Sequence, residues 1–430
     1  QLSLGDRHNF KKQLRTVLTG NSAFHIRRLV AESFAEQIPQ NEDWPLIRNL
    51  YCNHHEIFQA IYYQAQHISW HHFWRRNLVP LLKINKDSDA ILAHVHMISR
   101  WINEDLGGVL SFWHEVLQIA WIDKTNLASQ LPFYLSKIDK ENLFPVIPLL
   151  KDLFALPQQD SASIGGIIAR CVEVGHLEDS YLWQYIISNI NNKEDLDFIL
   201  RDNLKCNPYN FNDMPNDFFI RRVQNSNPLL DHIISSIEEW SHRISNNLEY
   251  SARGYYCGFL YHTSHQHHRT VGNHSHKASQ ELLFESVESA IIDHAKYDSV
   301  WWQCNRERLC FSSEAALRYF AILACTVNPI PNIKIIGRML TDKSMLSYEL
   351  HFEMGTLCHA AFIHLPPNIQ VQVINCILTL RQDACEEEPI PSWILSIRAE
   401  FIAAIPCHLR SPDAQSLLSH HEAKEGKLIR

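Results

Sequence analysis

The sequence predicts an all-α chain arranged as a degenerate HEAT/TPR-like helical-repeat solenoid. Three observations predict it: glycine is scarce, apolar residues recur at helical spacing, and short polar breaks punctuate the chain at regular intervals. Glycine supplies 13 of 430 residues, well below the usual share near ~7%. Nucleotide-binding α/β folds and β-sandwiches spend glycine on phosphate loops, tight turns and bulges. A chain with so little of it is poorly suited to either class. The 46% apolar and 20% charged content supplies ample core and excludes a wholly disordered chain.

The helical spacing is legible residue by residue. Leu230, Ile233, Ile234, Ile237, Trp240 and Ile244 gather on one face at 100° per residue. Leu283, Val287, Ala290 and Ile291 repeat the pattern, as do Leu143, Ile147, Leu150 and Phe154. No strand-length run alternates strictly. Polar or proline-bearing breaks separate the stripes: Pro39–Asp43, Asn85–Asp89, Asn191–Asp195, Asn225–Pro228, Asn328–Asn332, Thr341–Ser344 and Leu365–Asn368. Each offers an N-cap side chain or a proline, and Asn192 with Asp195 has the spacing of a capping arrangement. The breaks imply roughly eighteen to twenty helices, which pair into repeats near the ~40–47 residues of HEAT or armadillo units. Short helices with one apolar face must stack to bury it, so an array is expected rather than a compact bundle. The expected organisation is a helical-repeat half over 1–205, an irregular segment over 206–277, a second half over 278–405 and a polar tail over 406–430. Within the irregular segment, Asn207–Pro215 reads as a longer loop with buried aromatics.

The charge of −8 gives no basic face for a phosphate backbone, so nucleic acid is not expected as a partner. The Arg27-Arg28, Arg75-Arg76, Arg221-Arg222 and Arg306-Glu307-Arg308 groups read as solvated faces or local salt bridges. Eleven scattered cysteines without a C-x-x-C pair read as reduced thiols filling the core, which points to a cytoplasmic chain. No apolar run approaches the ~18 residues of a membrane span. Gln1-Leu2-Ser3-Leu4-Gly5-Asp6 lacks a signal-peptide pattern, and the chain reads as part of a longer protein.

Catalytic patterns are missing. The P-loop G-x-x-x-x-G-K-[ST] does not occur: Gly165-Gly166 has no following Lys, and Gly426-Lys427 is followed by Leu428. Without it no backbone N–H cradle for phosphate is expected. G-x-S-x-G is absent too, and Glu238-Glu239 and Glu386-Glu387-Glu388 read as solvated charge. No enzyme activity and no cofactor are expected of this segment. Trp70, Trp74, Trp101, Trp113 and Trp121 read as core, with an exposed aromatic face as the functional variant.

Histidine is the notable residue, with 26 copies. His262, His265, His267, His268, His274 and His276, with Arg269 among them, form a polar stretch with three readings. In order, these are a His-rich surface loop, a loop that touches a partner, and a site for a borderline metal. His94 and His96 lie two apart in a helical run, so they point to opposite faces. His67 and His71 share a face at i, i+4 but lack a carboxylate at helical spacing. His114-Glu115 lacks the second histidine of H-E-x-x-H, position 118 being Gln.

Several segments resemble the helical region of large bacterial STAND NTPases of antiphage defence, the AVAST-type proteins and their relatives. One is Ser22-Ala23-Phe24-His25-Ile26-Arg27-Arg28-Leu29-Val30-Ala31-Glu32-Ser33-Phe34-Ala35-Glu36, followed by Asn41-Glu42-Asp43-Trp44-Pro45-Leu46-Ile47. Another runs from Ala316-Leu317-Arg318-Tyr319-Phe320-Ala321-Ile322-Leu323-Ala324 through Val327-Asn328-Pro329 to Ile336-Gly337-Arg338-Met339-Leu340, and a third is His274-Ser275-His276 leading into Leu282-Leu283-Phe284. In that family a helical array follows effector and NTPase modules and recognises a phage protein such as the large terminase subunit or portal. Recognition releases the NTPase to tetramerise. The resemblance therefore implies a non-catalytic sensor segment whose partner is a phage structural or packaging protein, with oligomerisation through parts outside it. The alternatives are a free-standing helical-repeat scaffold or bacterial effector that binds a protein partner, and, as an outsider, a His-liganded metal hydrolase.

Overall fold

The computed structural model describes residues 4–124, 127, 133–154, 162–190, 203–211, 214–245, 279–346, 350–380 and 390–426. Among the described residues all regular structure is helical, with no strand. No helix among them is long and apolar enough to cross a membrane. The chain divides into two compact units, Gln1–Leu177 and Glu178–Arg430.

The first unit contains α1 (Leu4–Thr19), α2 (Phe24–Ala35), α3 (Trp44–Asn53) and α4 (His55–Gln64). It continues with α5 (Ile68–Asn85), α6 (Ser88–Ser99), α7 (Leu106–Leu117), α8 (Ile147–Phe154) and α9 (Ala162–Glu173). Helix α2 packs on α1 and α4, and α5 to α8 pack successively in chain order. The polar breaks act as read. Asp43, fully buried, accepts the Gln40 N–H at 2.7 Å and pairs with Lys11 at 2.6 Å and with the Arg15 Nε at 2.8 Å, which ties the α2–α3 turn to α1. Removing one partner of such a buried charge group leaves the rest uncompensated. Lys86 takes the left-handed conformation (φ 52°) that ends α5, and the Asp87 carboxylate accepts the Ala90 N–H at 3.0 Å to start α6. The core forms around Phe34, Trp70, Phe112 and Trp113. The Trp70 indole N–H reaches the carbonyls of Ala35 and Gln37 at 2.8 and 2.9 Å, so its polar handle is satisfied. Gly165 and Gly166 lie buried inside α9, far from a phosphate-loop conformation.

The second unit contains α10 (Asp179–Ile186), α11 (Phe218–Asn225), α12 (Asn227–Ser245), α13 (Ser279–Lys296), α14 (Val300–Cys310) and α15 (Ala315–Val327). After these come α16 (Pro329–Leu340), α17 (Lys343–Leu346), α18 (His351–Ala361), α19 (Pro367–Leu378), α20 (Ser392–Ala404) and α21 (Pro412–Glu425). Helices α11, α13, α15, α18 and α20 pack each on the next, forming one row. Helices α14, α16 and α19 form a second row packed against the first. This is a helical-repeat array of two layers. Row position follows from sequence: α15 is apolar nearly all round, with ten buried positions from Ala315 to Cys325, so it must lie between neighbours. Successive first-row helices begin at Ser279, Ala315, His351 and Ser392, spacings of 36, 36 and 41 residues. The repeats are therefore mostly shorter than the HEAT-like length expected.

Two boundaries differ from the sequence reading. The compact units divide after Leu177 rather than near 205, because α10 packs on α12 and Asp179 is gripped from α11 and its flank. Arg222 makes a two-bond pair with the Asp179 carboxylate at 2.7 and 3.0 Å, and the Ser226 hydroxyl donates to it at 2.5 Å. The expected polar tail contains α21, started by the Ser411 hydroxyl accepting the Ala414 N–H at 3.2 Å, with Ala414 and Leu418 buried. In the segment read as an aromatic loop, Phe211 is buried but Tyr209 is exposed. The Asn192–Asp195 capping arrangement lies outside the described residues.

Candidate functional site

The sequence-selected residues His262, His265, His267, His268, Arg269, His274 and His276 lie outside the described residues. The chemistry among the described residues concentrates elsewhere, on α5 and the start of α7. His71, His72 and Asp105 place their ligand-type atoms within 4.8 Å of one another. Asp105 is the N-cap of α7: its Oδ1 accepts the Gly108 N–H at 3.0 Å, satisfying an otherwise orphaned helix donor. That leaves Oδ2 toward α5, 3.0 Å from His71 Nε2 and 3.8 Å from His72 Nδ1.

The three side chains differ sharply in exposure. The His71 side chain is fully buried, Asp105 is one-quarter exposed, and His72 is half exposed. Burial pulls the His71 pKa below its ordinary value, against the opposing pull of the Asp105 hydrogen bond and charge. A neutral His71 donates Nε2–H to Asp105 and turns Nδ1 inward as an acceptor. Nδ1 is buried and has no protein partner. Arg75 borders the site, but its guanidinium leans to Glu115 at 4.0 Å, where Lys83 also pairs at 2.9 Å. Among the described residues no Lys or Arg pairs with Asp105.

Behind His71 sits a second buried pair. Tyr62 on α4 hydrogen-bonds His94 Nδ1 on α6, and burial, with His71 nearby, lowers the His94 pKa to about 3. Burial raises that of Tyr62 well above 10, so the phenol keeps its proton and donates it, leaving Nε2–H on His94. That N–H also has no protein partner. His71 and His94 line the same small cavity of about 10 Å³, with Trp70, Trp74, Met97 and Trp101, at the lower limit for one water. One orphan is a donor and the other an acceptor.

The structure thus sorts the sequence-stated histidines. His94 and His96 do point apart, and each meets a tyrosine, His96 Nδ1 bonding Tyr134. His67 does not join His71; its Nδ1 accepts the Ser69 N–H at 3.2 Å as the N-cap of α5. The missing carboxylate for His71 is Asp105, 34 residues along the chain, which a search at helical spacing could not find. Glu115 serves Lys83 and Arg75. Trp70 and Trp74 stack at 5.0 Å in the core, whereas Trp121 is partly exposed. No Ser, Thr or Cys side chain hydrogen-bonds His71 among the described residues. A larger cleft of about 450 Å³ lies between α20 and α21, lined by Ser392, Leu395, Asp413, His420, His421 and Lys424. Of its histidines, His421 bonds the Ser396 hydroxyl at 3.2 Å.

The arginine groups read as local salt bridges mostly are. Arg28 meets Glu32 at 3.5 Å, Arg221 meets Asp217 at 2.9 Å, and Arg308 pairs with Glu238. The nine described cysteines are free thiols, and Cys310 and Cys325 approach to 3.8 Å in the core.

No family model, curated protein or solved structure matches this chain.

Proposed function

We propose that this chain is a protein-recognition segment, and that its partner docks along the edge formed by the helix–helix connections of the second unit. The observation that carries this is a set of exposed apolar side chains at corresponding positions of successive repeats. Tyr297 and Val300 flank the α13–α14 connection, Val327 and Ile330 the α15–α16 connection, and Ile363 the α18–α19 connection, all more than half exposed except Val327 at 50%. The first two connections lie side by side, since the Asn328 side chain donates to the Ala295 and Lys296 carbonyls at 3.0 and 3.4 Å. Apolar groups repeated along one edge exceed the scattered exposure of an ordinary surface and suit partner anchoring.

The resemblance to STAND defence NTPases supplies a specific version: a cytoplasmic sensor whose ligand is a phage structural or packaging protein. The described parts of the segments that carry it fall mainly on α2, α3, α13, α15 and α16, which are packing elements and agree with an array. Co-expression with a panel of large terminase and portal proteins, followed by size-exclusion chromatography, tests the reading. The expected result is co-elution with one panel member and its loss in a Val300→Glu/Ile330→Glu variant of unchanged helicity. Co-elution with none refutes the phage-sensor version. Co-elution indifferent to the double substitution refutes the edge.

A further inference from the structure

We propose that His71 Nε2, His72 Nδ1 and Asp105 Oδ2 form a three-ligand site for a borderline divalent metal of the zinc class. Imidazole and carboxylate are the donors such ions prefer. In a tetrahedral zinc site, bonds of about 2.0–2.1 Å put neighbouring ligand atoms roughly 3.4 Å apart. The observed separations of 3.0 and 3.8 Å to Asp105 bracket that value. His72 is half exposed and needs the largest shift, and it has the freedom to make it. The buried side of the site is fixed by packing and the exposed side leaves a fourth position to water or an outside ligand.

The surroundings favour a cation over a simple ion pair. Asp105 Oδ1 is committed to the Gly108 N–H, so Oδ2 alone faces two imidazoles. Arg75 lies beside the site, and its contact with Glu115 at 4.0 Å offsets part of its charge. Metal binding shifts the His71 proton from Nε2 to Nδ1 without changing the net charge of the ring. The relocated Nδ1–H then faces the small cavity shared with His94, where one water would accept from both rings and steady the metal-bound imidazole. The ion would join α5 to the first turn of α7, helices one repeat apart in the stack. The inference is independent of the docking edge.

Titration of the full chain with Co²⁺ and Zn²⁺ tests it. The expected result is one saturable site with visible Co²⁺ absorption of four-coordinate intensity, displaced by Zn²⁺, and a Zn²⁺-dependent rise in the thermal midpoint. His72→Ala, chosen because the residue is exposed, and Asp105→Asn should each weaken binding by about tenfold or more. Changing His262, His265, His267, His268, His274 and His276 together to Asn should leave this site filled. Absence of saturable binding overturns the proposal. So does binding that survives His72→Ala but disappears with the six histidines changed.

Discussion

At the scale of single residues, burial sets the acid response. His94 is shut between Tyr62 and the cavity shared with His71, and its pKa falls to about 3 because the protonated ring would lose its hydration. An unfolded chain takes up that proton near the ordinary 6.5. Between pH 6.5 and about 3 the unfolded state therefore binds one more proton than the native state, and stability falls as the pH falls. The contribution is complete above pH 6.5 and is lost at about 1.4 kcal/mol per pH unit below it. Urea unfolding from pH 7 to pH 4, with chelator present, should show this slope, and His94→Gln should remove about one proton's worth of it. An unchanged slope in the variant refutes the assignment. The two glycines of α7 respond oppositely to the same substitution. A Cβ on Gly107 meets nothing within 4 Å, whereas one on Gly108 would lie 2.1 Å from Asp105 Oδ2 and 2.7 Å from Arg75 Nη1. Gly107→Ala should stabilise by about 0.5–1 kcal/mol through helix propensity. Gly108→Ala should cost about 1 kcal/mol as the N-cap is displaced. Chemical denaturation of both variants checks the sign of each.

At the scale of elements, polar contacts recur about one repeat apart. Trp70 reaches Ala35, Tyr62 reaches His94, His71 reaches Asp105, and Arg170 reaches Ser136. The second unit repeats the theme with Trp302 to Asn332, Asn328 to Ala295 and Cys376 to Thr341. Each ties together residues from two successive repeats, and the buried ones, such as Trp70 and Trp302, use a side chain whose alternative is an unpaired buried group. Asp179 with Arg222 and Ser226 is a further link in the second unit, two-bonded to the arginine, with the carboxylate nearly buried. Asp179→Ala should destabilise that unit by about 2–3 kcal/mol, between the cost for a buried and an exposed pair, because the partly exposed arginine keeps its charge and loses its partner. Thermal unfolding of the variant measures it, and a cost under about 1 kcal/mol would contradict the role given to the pair.

At the scale of the whole molecule, each compact unit carries its own core, with Trp70 and Trp113 in the first and Trp302, Tyr319, Phe320 and Phe362 in the second. Nearest-neighbour stacking makes stability roughly additive along an array. Residues 178–430 expressed alone are therefore expected to give a helical circular-dichroism spectrum and a cooperative melt. A non-cooperative, weakly helical product would mean that this unit depends on the rest of the chain. The docking edge also belongs to this scale, since no single repeat supplies enough apolar area to hold a protein partner.

The sequence by itself determined that the chain is helical, where most helices stop, and which faces are apolar. Glycine scarcity, 3.6-residue periodicity and capping residues are local properties, and local hydrogen bonding decides them. Ser226 and Asp87 cap helices at the breaks where caps were expected, whereas the Asn328 side chain leaves its helix uncapped and donates to the Ala295 carbonyl instead. Repeat length was legible only coarsely, because a break marks a helix end without saying which row the next helix joins. The tertiary structure alone decided the candidate site. Asp105 meets His71 across 34 residues, and His94 shares a cavity with it from a third helix. No periodicity encodes those meetings. They arise because stacking brings one repeat's residues against the next, and burial then sets which imidazoles stay neutral and which atoms are left to bind.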